Sequence, residues 1–168
     1  MPLNLLKRYN QLLELEAFSE PQRKASLMGI FNRDIANNPN FSFKAKPIRP
    51  IPLDGEIKMT TLYTHLTCAI ENKENRNRVF DMHRAKRLHW VRYHMEENKN
   101  DNMLIYSVKE PEGIRTYIYD KDEKYVVVLE PKRKENEYYL LSAYYVRGKD
   151  SARNKFEKKY KRRLNELY

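Results

Sequence analysis

Glycine is scarce in this chain, four residues among 168, and none lies in a phosphate-cradling loop with its lysine or in a dinucleotide fingerprint. Nucleotide-loop chemistry is therefore not expected. Cysteine is scarcer still, and Cys68 alone excludes an intrachain disulfide framework or a thiolate zinc cluster, which points to a reducing compartment. There is no HExxH string. Of the four histidines, His65, His83, His89 and His94, the pair His89 and His94 is five residues apart and His83 and His94 are eleven apart, so neither pair has the i, i+4 spacing of a helical zinc site. No metal or cofactor is expected. No apolar run approaches the length that crosses a bilayer, and the start MPLNLLKRYN lacks a long apolar core behind its basic part. The expectation is a cytoplasmic protein without a membrane partner.

What is abundant is positive charge: 33 Lys and Arg against 23 Asp and Glu, a formal net charge of +10. Such an excess favours a polyanionic partner, with a merely basic soluble protein as the alternative. The length suits one domain with a real core, or a compact domain carrying an N-terminal appendage.

The most informative stretch runs from Met103 to Val146, where MLIYSV, GIRTYIY, EKYVVVLE and EYYLLSAYYV follow one another with hairpin-sized gaps. These predict a four-stranded antiparallel meander. Strict alternation along the last strand places Tyr139, Leu141, Ala143 and Tyr145 on one face, against helices, and Tyr138, Leu140, Ser142, Tyr144 and Val146 on the other.

Upstream, the leucines from Leu3 to Leu15 recur at helical intervals, and Ser19-Glu20-Pro21 reads as a stop and a fresh helix start. This predicts a helical hairpin whose second arm uses Ala25, Met28, Phe31 and Ile35. Residues 41–58, with Pro47, Pro50, Pro52 and Gly55, read as an extended connection, so the chain divides into residues 1–58 and an α+β unit at 59–168. A third helix is expected from Thr61 to about Asn72 with Thr60 as its cap, then a charged loop to Arg78. A fourth, capped by Asp81, is expected to run to about Glu97, burying Met82, Ala85, Leu88, Val91 and Met95. A last helix, from Asp150 or Ser151, carries Ala152, Phe156, Tyr160, Leu164 and Leu167 on one face. From Lys149 onward eight basic residues face three acidic ones.

Two features invite a phosphate. The string HRAKRLHW gathers Arg84, Lys86, Arg87 and His89, and Arg115 projects from a strand beside Tyr117 and Tyr119. A solvated helix face, or a guanidinium resting on aromatic rings, explains the same residues. Eleven of thirteen tyrosines lie from Tyr93 onward, interleaved with Lys132, Arg133, Lys134, Lys155, Lys158, Lys159 and Arg162, a composition on which unpaired bases stack. Tyrosine is equally a good strand residue.

The order of elements, helices, then a meander holding RTYIY, YVVVLE and YYLLSAYYV, then the basic helix RNKFEKKYKRR, resembles the phage-associated branch of the barnase, EndoU, colicin and RelE-like nuclease superfamily. The likeness spans roughly residues 80 to 163 and is strongest at RAKRLHWVR, at Arg115 to Tyr119 and at Tyr138 to Val146. It implies a barnase-like α+β fold and a metal-independent endoribonuclease of toxin type, acting on tRNA or other RNA and met by a neutralising protein. In such chemistry a base takes the ribose 2′ proton, an acid protonates the leaving oxygen, and cations stabilise the phosphorane, leaving a 2′,3′-cyclic phosphate. Here His89 or His83 would be the acid or base, Arg84, Arg87 and Arg115 the electrostatic clamp, and Ser142 with Tyr144 hydroxyl donors. The alternatives are a noncatalytic RNA-binding module with the basic helix along phosphates, and an inactive nuclease-like domain that binds a protein partner.

Overall fold

The leucine-rich start is helical only over α1 (Pro2–Leu5) in the computed structural model, which describes residues 2–53 and 56–168. The expected long first arm does not form. Asn4 is buried, and its amide brackets the backbone of Glu14, accepting from the N–H at 2.9 Å and donating to the carbonyl at 3.0 Å, while also donating to Ser26 Oγ. This holds the chain extended, so that Leu13 and Leu15 are buried between exposed neighbours. Period two, not 3.6, describes these leucines.

The second arm forms, burying Phe31 and Ile35 as expected, but its inner face is set by Leu27 and Ile30, with Ala25 exposed and Met28 half-buried. α2 (Glu20–Phe31) starts on a capping box between Ser19 and Gln22, with Pro21 in its first turn, and buries Leu27, Ile30 and Phe31. A π-helical turn, Asn32–Ala36, extends it and buries Ile35.

Residues read as a connection supply strands instead. β1 (Ser42–Phe43) and β2 (Lys46–Pro50) form a small antiparallel pair, and β3 (Pro52–Leu53) pairs with β4 (Glu56–Ile57), while Gly55 lies outside the described residues. α3 (Met59–Thr67) is entered through Lys58 rather than a Thr60 cap, and it stops before Cys68. There β5 (Cys68–Ile70) pairs with β6 (Arg78–Phe80), making a hairpin of what the sequence suggested was helix end and loop.

The fourth helix is broken. α4 (Met82–Ala85) is capped by Asp81, whose carboxylate accepts from the Arg84 N–H, but a new helix α5 (Trp90–Met95) begins only after residues 86–89. The Lys86 carbonyl leaves the helical ladder to accept from the Leu13 N–H at 3.0 Å, and i to i−3 bonds from Arg87, Leu88 and Trp90 tighten the chain between the two pieces.

The meander appears at the expected places as β7 (Met103–Glu110), β8 (Gly113–Asp120), β9 (Tyr125–Lys132) and β10 (Glu137–Tyr145), each antiparallel to the next. The sheet has six strands rather than four, because β2 adds in parallel to the outer side of β10, Tyr138 opposite Ile48, with β1 beyond it. The fold is thus α+β around an antiparallel-rich sheet. The final helix is also split, into α6 (Lys149–Ala152) and α7 (Lys155–Lys161), because Asn154 between them is left-handed at φ 51°.

Strict alternation fails on β10. Leu140 faces Leu129 and Ser142 faces Val128, so Leu141 is an extra, unpaired residue, a β-bulge. Before it Tyr138 and Leu140 point into the larger core. After it Ala143 does so, while Tyr144 and Val146 pack on the other side. The larger core joins Leu13, Leu15, Leu27, Ile30 and Phe31 to Trp90, Val91, Tyr125 and Leu129, so apolar residues on both sides of residue 58 share one interior. The opposite face of the sheet is covered too, by Phe156 and Tyr160 of α7 against Tyr106, Tyr117 and Tyr119. Each large side chain so buried stabilises the fold by about 1.5–3 kcal/mol.

Candidate functional site

β2 accompanies β10 only through Leu140. From the bulge onward the free side of β10 is flanked by α3 and α4, and there the sequence's candidates divide. Arg84, on α4, reaches the strand: one Nη1 lies 2.9 Å from the His65 carbonyl, 2.9 Å from the Cys68 carbonyl and 3.2 Å from Ser142 Oγ, and its guanidinium sits over the Tyr144 ring at 5.1 Å. Arg87, buried, donates to the His83 carbonyl at 2.6 Å and lies over Tyr145 at 4.2 Å and Trp90 at 5.3 Å. Arg84, Arg87, Ser142 and Tyr144 therefore come together as four of the six expected catalytic residues.

Of these, Arg84 and Tyr144 line a cleft of about 170 Å³ together with Asp81, His83, Tyr145, Val146, Arg147 and Asp150, while Arg87 and Ser142 touch it only through Tyr145 and Arg84. His83 is exposed at its mouth, its ring near-parallel to Tyr145 at 6.1 Å. Burial pulls the Arg84 and Arg87 guanidiniums below their ordinary range, with Asp81 and nearby tyrosines acting in the other direction. Burial likewise pushes the Tyr144 hydroxyl up to about 12, helped by Asp150 and opposed by Arg84. At neutral pH Tyr144 is a donor.

His89 is elsewhere. The break after α4 turns it inward, where Nε2 meets the Arg8 carbonyl at 2.9 Å and burial keeps the ring neutral by lowering its pKa. The histidine of the cleft is His83. Arg115 does share the sheet face of Ser142, since Tyr117, two residues on, stands opposite Val128, which Ser142 also faces, but Glu130 Oε1 takes its guanidinium at 3.1 Å.

The residues expected to bind nucleic acid are mostly committed within the fold. Tyr117 OH donates to Glu110 Oε1, the same carboxylate ion-pairs with Lys159 and, at 3.6 Å, with Arg162, and Lys159 also lies over the Tyr117 ring. Lys155 pairs with Asp150 at 3.3 Å and Lys86 with Glu16. Lys132 and Arg133 rest on the rings of Tyr139 and Tyr168, while Lys134 and Lys158 are exposed.

Three residues of this region were not singled out by sequence reasoning. Arg147 ends the strand beside the cleft, its Nη2 3.9 Å from Asp81 Oδ2. Arg78, brought in by the β5–β6 hairpin, meets Arg84 at the Cys68 carbonyl, and His65 on α3 feels both guanidiniums. The strand-favouring pair Val79-Phe80 between polar residues was the one local signal for that hairpin. Among the described residues no group of three or more His, Cys, Asp or Glu side chains is placed to hold a metal ion, and no helix is long and apolar enough to cross a membrane.

No protein-family model matches the chain, and neither a curated protein nor a solved structure shows a significant likeness to it.

Proposed function

We propose that the chain is a metal-independent endoribonuclease whose active centre is the cleft at the free side of β10. The observation that carries this reading is the state of its arginines. Among the described residues Arg84 and Arg87 have no carboxylate partner within ion-pairing distance, although both are largely withdrawn from water. Holding a buried cation without a counter-ion is unfavourable, and a bound phosphodiester would supply the missing negative charge.

The reaction follows from the groups around it. The exposed His83 imidazole takes the proton of the ribose 2′ hydroxyl as that oxygen attacks phosphorus. Arg84, with Arg147 at the rim, faces the charge that builds on the phosphorane oxygens. The bond to the 5′ oxygen breaks, and the Tyr144 hydroxyl can protonate it, because a donor near 12 is still more acidic than water, at about 15.7. The products are a 2′,3′-cyclic phosphate and a 5′ hydroxyl. The resemblance of the sequence from about residue 80 to 163 to barnase and RelE-like nucleases supports the same reading.

The test is incubation of the purified protein with tRNA and total RNA in EDTA, with the ends of any fragments characterised. Cyclic phosphate ends are expected, and His83→Gln should slow cleavage by about 10²-fold or more. RNA that stays intact with the wild-type protein sinks the enzyme reading; RNA bound but uncut points to the noncatalytic module.

A further inference from the structure

Behind the cleft, on the side of the β5–β6 hairpin, the cationic groups continue. Arg78 Nη1 is 3.4 Å from the Cys68 carbonyl oxygen, the same oxygen that Arg84 Nη1 approaches at 2.9 Å. Two guanidiniums thus converge on one neutral acceptor. His65, one turn back on α3, stands beside them and beside the Leu141 backbone at the bulge, with its Nδ1 buried and without a hydrogen-bond partner; the Arg84 Nε is buried and unpartnered as well. Among the described residues neither Arg78 nor His65 forms an ion pair with a carboxylate. The one acid facing Arg84, Asp81, acts from the cleft side and spends one oxygen on capping α4.

The two guanidiniums repel each other, and the neutral His65 ring feels both. Burial lowers the pKa of Arg78 and then Arg84 lowers it further; burial, Arg78 and Arg84 do the same to His65. Such a cluster is tolerated when an anion occupies its centre at work, and half-buried Arg78 and His65 leave it open to one. Planar guanidiniums bind the oxygens of a phosphate better than a lone ammonium does. We propose that Arg78, His65 and Arg84 form a second phosphate subsite next to the His83 cleft, so that the substrate is a polynucleotide that spans two adjacent phosphates rather than a mononucleotide. Arg84, reaching both places, links the subsite to the cleft.

This rests on the nuclease reading of the cleft, and the experiment separates the two. A fluorescein-labelled 2′-deoxy tetranucleotide, which lacks the attacking hydroxyl, is titrated into the full chain at several salt concentrations and followed by anisotropy. Arg78→Gln is expected to weaken binding by about tenfold and to lower the salt dependence by about one phosphate contact, with His65→Gln weakening it less. Arg78→Lys, which keeps the charge but not the planar fork, should restore the salt dependence and part of the affinity, which a purely structural role of the guanidinium would not allow. If the wild type binds and cleaves RNA while Arg78→Gln binds as tightly as wild type, the subsite is wrong and the cleft reading stands. If the wild type neither binds the tetranucleotide nor cleaves RNA, both fall. Displacement of the probe by a poly-aspartate peptide as efficiently as by unlabelled tetranucleotide overturns the nucleic-acid assignment.

Discussion

Two parts of the sheet treat cations in opposite ways. On β9, opposite Tyr139, Glu130 takes Arg115, and on β7 Glu110 is shared by Lys159 and Arg162, so each of these three cations has a carboxylate. Near Ser142 and Tyr145 the guanidiniums of Arg84 and Arg87 are held by carbonyl oxygens, a hydroxyl and aromatic faces, none of which cancels their charge. The first arrangement fixes structure and is electrically quiet. The second keeps a positive potential in place and pre-orders the donors, which is what an anion-binding centre requires.

The contrast can be broken from either side. Glu110→Gln should be the most costly change, leaving Lys159 and Arg162 facing an uncharged group. A loss of about 3 kcal/mol is expected in chemical denaturation, with RNA cleavage by the folded fraction retained. Arg87→Met should show the reverse, less than about 1 kcal/mol of stability lost but oligonucleotide binding weaker by about tenfold. Equal profiles for the two variants would dissolve the distinction.

Acid should sharpen it further. Burial pushes the Glu110 carboxyl up, but Lys159, Tyr117 and Arg162 together bring it below its ordinary 4.5. Its stabilising contribution is therefore complete above 4.5 and fades as pH falls below that value. The histidines act at higher pH. Burial keeps His65 and His89 neutral and lowers His94 to about 4, from an ordinary 6.5, so the unfolded chain takes up protons first and stability declines as pH drops from 6.5. Buried Asp120, 3.5 Å from His94 and paired with Lys99, works against this decline, since burial pushes its carboxyl up to about 6. His94→Gln should flatten or reverse the slope between pH 6.5 and 4 in thermal melts; an unchanged slope removes His94 as its source. The smallest effect belongs to Arg115→Gln, under about 1 kcal/mol of stability and a change in cleavage within about twofold.

How much of this was legible in the sequence differs by element. The meander could be read because each strand pairs with its neighbour in the chain and hairpin turns mark the ends. The strand β2 could not, since a Pro-containing segment reads as linker and its partner β10 is some ninety residues away. The helical arms at Leu3 to Leu15 and Asp81 to Glu97 failed for one shared reason: the Leu13 N–H and the Lys86 carbonyl bond to each other, a tertiary contact that overrides local periodicity in both. The same contact separated His89 from Arg84, although the string HRAKRLHW places them together. Ser142 and Tyr144 were found because alternation past the bulge is regular again, while Arg78 depended on a hairpin marked locally by no more than Val79 and Phe80.

The extra residue at Leu141 resets the phase of β10. Up to Leu140 even-numbered residues feed the main core, whereas beyond it the even-numbered Ser142, Tyr144 and Val146 have left that core and the odd-numbered Ala143 has taken over. Were Leu141 paired in register instead of bulged, Ser142 and Tyr144 would continue the phase of Tyr138 and Leu140 and turn into the main core, away from Arg84. The strand thus carries two addresses in nine residues, one for folding and one for the cleft, and the boundary between them is a single unpaired leucine.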